Sequence, residues 1–366
     1  MQHSAKTPAW TWILPLIGVA FFVVGTSLGF GPDFAHNATG IAIALLLAPL
    51  LLGAVFAAVY HAEDVAHQTG EPFGTLVLTI SVMVIEVSLI LSVMLSGDAA
   101  PTLVRDTVYA VIMIICTGLV GACLLLGGLR YREQSFDVTS VKIYLAVLLV
   151  LASLTLLLPN YTQSTPGPEF SRSQLAFISV VTIALYLVFL YTQTILHRDY
   201  FTGERTDIGA MAKGDANKLA VSVALLIFAL LAVVLLAKKF AVVIGYGVAA
   251  IGAPFAVTGV VIALIVLLPE GLSAIKSARK DDLQKSLNLA LGSSLATIGL
   301  TIPAVAVANV YLQKPLTLGL EPRDAALLIT TLAASILTFG TGRTNVLFGF
   351  IHLVLFGTFL FLAFVP

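Results

Sequence analysis

Apolar runs of about 20 residues recur from one end of this chain to the other, separated by short polar breaks. A run of that length suits an α-helix crossing hydrocarbon, because each residue rises about 1.5 Å and the apolar core is about 30 Å thick. The pattern predicts eleven spans, over residues 10–30, 39–60, 73–96, 107–127, 141–158, 174–196, 218–237, 245–275, 286–312, 324–341 and 344–365. The least regular stretch is 240–270, one apolar run interrupted by Gly245, Gly247, Gly252 and Pro254. It reads either as a long kinked helix or as a short helix followed by a span. The longest polar stretch, His197 to Asn217, is too short for a core of its own.

Composition agrees with this pattern. Of 366 residues, 59% are hydrophobic and 10% charged, against roughly 25% charged in soluble domains. The expected class is an all-α polytopic membrane protein with the lipid bilayer as its partner. A formal net charge of +0 gives no reason to expect nucleic acid. The segment MQHSAKTPAWTW does not read as a cleaved signal, and Trp10 and Trp12 read as interface anchors of the first span. Cys116 and Cys123 are seven residues apart in one apolar run. On a helix that puts them about 10 Å apart, too far to bridge. With the first residues on the cytoplasmic side, the inner loops collect thirteen of the nineteen Lys and Arg residues. Lys238 and Lys239 fall among the six outer ones. That asymmetry obeys the positive-inside rule and leaves the C-terminus external.

Two glutamates break the apolar runs: Glu86 in ISVMVIEVSLILS and Glu270 in VVIALIVLLPEGLSAI. A carboxylate near the bilayer centre costs at least a few kcal/mol and marks a functional position by default. The two contexts also resemble each other. Gly70-Glu71-Pro72-Phe73 opens the run that reaches Glu86, and Gly252-Ala253-Pro254-Phe255 opens the run that reaches Glu270. In the topology above, the two Glu helices run in opposite senses. The expected organisation is therefore an N-terminal helix (1–38), a first five-helix repeat (39–196), a linker (197–217) and an inverted second repeat (218–366). Such repeats place ion sites at their interface near the midplane.

Burial and mutual repulsion both favour the protonated form of a carboxylate. A divalent cation would let both ionise, so protons and a hard cation would compete for the same oxygens. Ser88, Ser273, Thr117, Asn288, Ser293 and Ser294 are candidate neutral ligands, with ordinary helix packing as the alternative. His61, Glu63, Asp64 and His67 have helical i,i+3 and i,i+4 spacings, which suit a metal or pH-sensing site at the cytoplasmic mouth or simply a solvated helix end. Gly340-Thr-Gly342-Arg343 reads as a tight inner turn, His352 as a core histidine, and Asp281-Asp282 as a solvated loop. No HExxH motif is present, and no cofactor or enzymatic activity is expected.

The stretches HAEDVAHQTGEPFGTL, SGDAAPTLVRDTVYAVIM, LPEGLSAIKSA, LALGSSLATIGLTIP and FGTGRTNVLFGFIHL resemble bacterial calcium/proton antiporters of the cation/Ca²⁺ exchanger superfamily, near its CAX branch. The resemblance runs from about residue 40 to the end of the chain. It implies a ten-helix inverted-repeat core plus one N-terminal helix, with ion-binding acids at Glu86 and Glu270. It also implies export of Ca²⁺, and of Na⁺ or K⁺ as alternatives, against protons. The Gly-Asn-x-x-Glu-His signature of many CAX proteins is absent: the contexts are Val82-Met-Val-Ile-Glu86-Val and Val266-Leu-Leu-Pro-Glu270-Gly. The neutral ligands of that site therefore do not carry over. A cation channel is the rival class, although channels usually build filters from several subunits. The sequence is compatible with a homo-oligomer.

Overall fold

In the computed structural model, residues 7–27, 29, 38–70, 72–96, 100–202 and 216–366 are described. They form fourteen helices and one two-stranded sheet. Ten helical segments are long and apolar enough to cross a membrane. A further helix, Pro322–Thr338, has 17 residues, about 26 Å at the α-helical rise, and supplies an eleventh candidate span. The protein is an all-α, multi-pass membrane protein, as the apolar pattern predicts.

The chain divides into two compact units, Met1–Ala99 with Gly209–Ile251 and Ala100–Ile208 with Gly252–Pro366. The first unit contains α1 (Trp10–Ser27), α2 (Ala38–Thr69), α3 (Phe73–Leu95) and α9 (Ala216–Ala250). The α1 helix meets its neighbours through close approaches. A Cβ on Gly18 would lie 2.8 Å from Leu236 Cδ1, and one on Gly53 would lie 2.8 Å from Leu14 Cδ1.

The second unit contains α4 (Leu103–Met113), α5 (Val120–Tyr131), α6 (Val138–Ala152), α7 (Arg172–Tyr191) and the short α8 (Arg198–Thr202). It continues with α10 (Ala256–Ala278), α11 (Leu283–Ala296), α12 (Ile302–Leu312), α13 (Pro322–Thr338) and α14 (Val346–Phe364). At one end, strands β1 (Glu133–Ser135) and β2 (Arg343–Asn345) pair antiparallel, with Gln134 opposite Thr344. Arg343, read from sequence as part of a tight turn, therefore lies in a strand. At the other end, Leu318 and Gly319 donate their N–H groups to the Pro168 carbonyl, and Asn160 donates to the Leu320 carbonyl.

One span boundary is corrected. The structure has no break at 238–244. Instead α9 runs unbroken for 35 residues, about 53 Å at the helical rise. The chain turns only at Ile251–Phe255. Lys238 and Lys239 therefore lie within a helix rather than in a loop. The Lys239 ammonium sits 5.7 Å from the centre of the Phe22 ring, a cation–π placement. Residues 203–215 of the expected linker, and Glu71 of the first Gly-x-Pro-Phe motif, lie outside the described residues.

The same local series of elements occurs twice. A helix of 32 residues ends before Gly70, and one of 35 ends before Ile251-Gly252. Gly70 has φ +68° and Gly252 φ +64°, the left-handed region where glycine is the favoured residue. A proline follows two residues later, and then comes a helix of 23 residues carrying one glutamate. The membrane segment after each of these is interrupted by a π turn, Ile114–Leu119 between α4 and α5 and Thr297–Thr301 between α11 and α12. Each π turn holds a threonine and a glycine.

Candidate functional site

Glu86 is the fourteenth residue of α3 and Glu270 the fifteenth of α10, counted from helix starts at Phe73 and Ala256. Each lies about 20 Å along its helix from the N-terminal end. Glu86 is 1% exposed, and Glu270 is half-buried. Both engage in polar or electrostatic interactions. Glu86 belongs to the first unit and Glu270 to the second.

Within the second unit, the surroundings of Glu270 follow from two glycines of α10. A Cβ on Gly259 would lie 2.8 Å from the backbone of Asp106 and Thr107 in α4, and one on Gly271 would lie 3.8 Å from Leu119 Cδ1 in the π turn. Twelve residues of α10 thus match about twelve residues of α4 and its continuation, so the two segments run in the same direction. Glu270, one residue before Gly271, sits at the level of Thr117 to Leu119, the end of the Ile114–Leu119 π turn. A π turn leaves helical carbonyls without their usual partners and is common at functional positions. Pro269 adds a second such carbonyl: it has no N–H, so the Ile265 carbonyl lacks its normal helical donor. Carboxylate, carbonyl and hydroxyl oxygens at one depth form a donor set that suits a hard cation.

The candidate neutral ligands divide into three groups. Thr117 is buried at the level of Glu270 and donates its hydroxyl to the Met113 carbonyl. Ser88 donates to the Ile85 carbonyl at 2.8 Å and Ser294 to the Leu291 carbonyl at 2.7 Å. A hydroxyl that donates backward along its helix still presents lone pairs outward. Ser293 is half-buried, and Ser273 is on an exposed face of α10. Asn288 is engaged elsewhere: its amide nitrogen donates to the Phe201 carbonyl, and its oxygen accepts from Gln284 at 2.9 Å.

The four residues read as a mouth site leave α2 in different directions. His61, 1% exposed, donates Nε2–H to the Thr11 carbonyl of α1 at 3.3 Å. Asp64 Oδ2 accepts from Ser222 of α9 at 2.5 Å and from Gln68 at 3.1 Å. Glu63 and His67 are exposed. Among the described residues, no group of three His, Cys, Asp or Glu side chains is placed to hold a resident metal. The pair Asp281-Asp282 is tied down rather than free: Asp281 accepts from Gln134 at 2.9 Å, and Asp282 caps α11 by accepting from Lys285 N–H at 3.0 Å. Cys116 and Cys123 are buried free thiols.

One polar cluster was missed in the sequence. Arg105 and Asp106 lie side by side at the start of α4, with side chains only 8% and 9% exposed. Arg105 also donates to the Gly319 carbonyl at 3.1 Å, and Thr102 donates to Asp106 at 2.8 Å. An adjacent Arg and Asp before an apolar run read as a loop. The carbonyl that completes the cluster comes from 214 residues away.

The sequence model described as "Sodium/calcium exchanger protein" matches residues 39–195 and 221–365. The y4hA protein of Sinorhizobium fredii is 45% identical over 369 residues, covering 100% of this chain and 98% of that protein. The sodium-potassium/proton antiporter ChaA of Escherichia coli is 39% identical over 329 residues, covering 88% of this chain and 89% of ChaA. The solved structure of native YfkE superposes with a TM-score of 0.73 at 16% identity, covering 97% of this chain and 100% of YfkE. That likeness is one of fold.

Proposed function

The chain belongs to the sodium/calcium exchanger protein family, and from that premise we propose that it is a secondary active cation/proton antiporter in which Glu86 and Glu270 form one shared site. The observation that carries this reading is the matched placement of the two glutamates. Each stands at mid-depth in a 23-residue helix that follows a left-handed glycine and a proline. In this reading, residues 39–196 and 218–366 are two repeats inserted in opposite senses, with residues 1–38 added in front. The membrane is a bacterial inner membrane, with the N-terminus cytoplasmic and the C-terminus external.

The cycle follows from charge. Open to one side, the two carboxylates release protons and bind the cation. The neutralised site reorients, and protons on the other side displace the cation. Two carboxylates carry up to two protons, so exchange for Ca²⁺ is electroneutral, whereas exchange of two protons for one Na⁺ or K⁺ moves net charge. Ca²⁺/H⁺ exchange is the leading assignment because a carboxylate pair with added carbonyl and hydroxyl oxygens suits a hard divalent ion. Na⁺/H⁺ or K⁺/H⁺ exchange is the second reading. It is favoured by the absence of Asn and His beside both glutamates and by the ChaA relative's being named a sodium-potassium/proton antiporter.

Energised inverted vesicles test this. Adding the transported cation should collapse the proton gradient, and Ca²⁺, Na⁺, K⁺ and Mg²⁺ are compared in turn. Glu86→Gln and Glu270→Gln should each abolish the response. Normal transport by either variant would sink the shared-site reading. Cation movement that runs only down its own gradient and moves no protons in exchange would indicate a channel instead.

A further inference from the structure

His352 lies in α14, well away in sequence from both glutamates, and is 0% exposed. Its Nδ1 lies 2.7 Å from the Cys116 carbonyl, inside the π turn of Ile114–Leu119. Its Nε2 lies 3.1 Å from the Thr338 hydroxyl at the end of α13. A carbonyl only accepts, so Nδ1 carries the proton. In an apolar interior the neutral ring is the stable form, which makes Nε2 an acceptor for the Thr338 hydroxyl. Both ring nitrogens are thereby used, and the tautomer is set by its partners.

The same face of α14 is pressed onto the π turn and the start of α5. A Cβ on Gly118 would lie 3.0 Å from the Phe356 ring, and one on Gly121 would lie 3.1 Å from the Cβ of His352. The next residue of the π turn, Leu119, meets α10 beside Glu270. The π turn is therefore held between α14 and the helix that carries the carboxylate. In the π turn the Val120 N–H bonds the Ile115 and Thr117 carbonyls rather than that of Cys116, and the His352 Nδ1–H engages the carbonyl so freed.

We infer that His352 is a positioning residue of the transport site: through the Cys116 carbonyl it pins the π turn of the α4–α5 segment so that Thr117 and its neighbours face Glu270. This rests on the reading of Glu270 as an ion-binding residue. His352 itself is neither a ligand nor a proton carrier in this arrangement. It acts as an outer-shell partner does at a metal site, by fixing the groups that make contact.

The test uses the full-length protein in energised vesicles, with cation titrations giving an apparent KM and a saturating rate. His352→Asn places an amide N–H where Nδ1–H stands, and should keep KM within about twofold of the parent, whereas His352→Gln and His352→Leu lose that donor and should raise KM roughly tenfold at an unchanged saturating rate. A merely structural role would lower rate and thermal stability in all three and would show no rescue by Asn. Thr338→Val, nearly isosteric, removes the donor to Nε2 and should raise KM about two- to threefold. An unchanged KM in Thr338→Val overturns the proposal even where the His352 variants do not fold. So does a His352→Asn variant as impaired as His352→Leu. Glu270→Gln is the separating control: if it transports normally, the site reading itself has failed. If it is inactive while His352→Gln keeps the parental KM, only the positioning role has failed.

Discussion

Arg105 and Asp106, neighbours in the chain, form an ion pair of 2.8 Å that is more than nine-tenths buried. The pair is completed by the Gly319 carbonyl and the Thr102 hydroxyl. Such a pair contributes little relative to apolar residues, yet removing one partner leaves a charge uncompensated in a dry site. Asp106→Ala should therefore destabilise the protein by about 3–5 kcal/mol, and Asp106→Asn by nearly as much, because Arg105 stays charged in both. The double change Arg105→Met with Asp106→Leu should recover more than half of that loss. Thermal unfolding in detergent measures both. A double variant no more stable than Asp106→Ala would show that the cluster's value lies in its hydrogen bonds rather than in paired charge.

The close approach of α10 to α4 gives a prediction of opposite sign at two glycines. At Gly259 a methyl group would stand 2.8 Å from backbone atoms of Asp106 and Thr107, which cannot rotate away. Gly259→Ala should cost about 1–3 kcal/mol, the usual range for overpacking. Gly247, inside α9, has nothing within 4 Å of the added carbon. There alanine removes only the backbone freedom of glycine, and Gly247→Ala should stabilise by up to about 1 kcal/mol. The two unfolding temperatures should move apart. Equal shifts would mean that helix propensity, not the α10–α4 contact, governs both positions.

The spans were legible because an apolar run of helical length has few other uses, and both glutamates were legible because nothing else in those runs is charged. The Gly-x-Pro-Phe motif was legible as a repeat, and the structure supplies its reason in the positive φ of Gly70 and Gly252. What local pattern could not supply was any partner far along the chain. Lys238 and Lys239 looked like a loop, but long Lys stems lie along apolar surface within a helix, and Phe22 receives one of them. His61 and Asp64 share a helical spacing, yet one faces Thr11 and the other Ser222. The pairing of Glu133–Ser135 with Arg343–Asn345 joins three-residue strands some two hundred residues apart, too short to leave a periodic signal.

Pro269 separates a structural role from a transport role with unusual sharpness, because the two respond in opposite directions. Proline inside a helix costs about 3 kcal/mol or more through the missing N–H and the ring's clash with the preceding turn. Its place one residue before Glu270 points to a use for the carbonyl it frees, that of Ile265. Pro269→Ala restores the donor, so the carbonyl returns to the helix and is no longer offered to a cation. The variant should unfold at a higher temperature than the parent. In energised vesicles it should also need roughly tenfold more cation for half-maximal gradient collapse, the usual penalty for disturbing a supporting group of a metal site. A more stable protein with weaker cation affinity would assign the Ile265 carbonyl to the site. A more stable protein with unchanged affinity would leave Pro269 as a kink that shapes the path of α10 and nothing more.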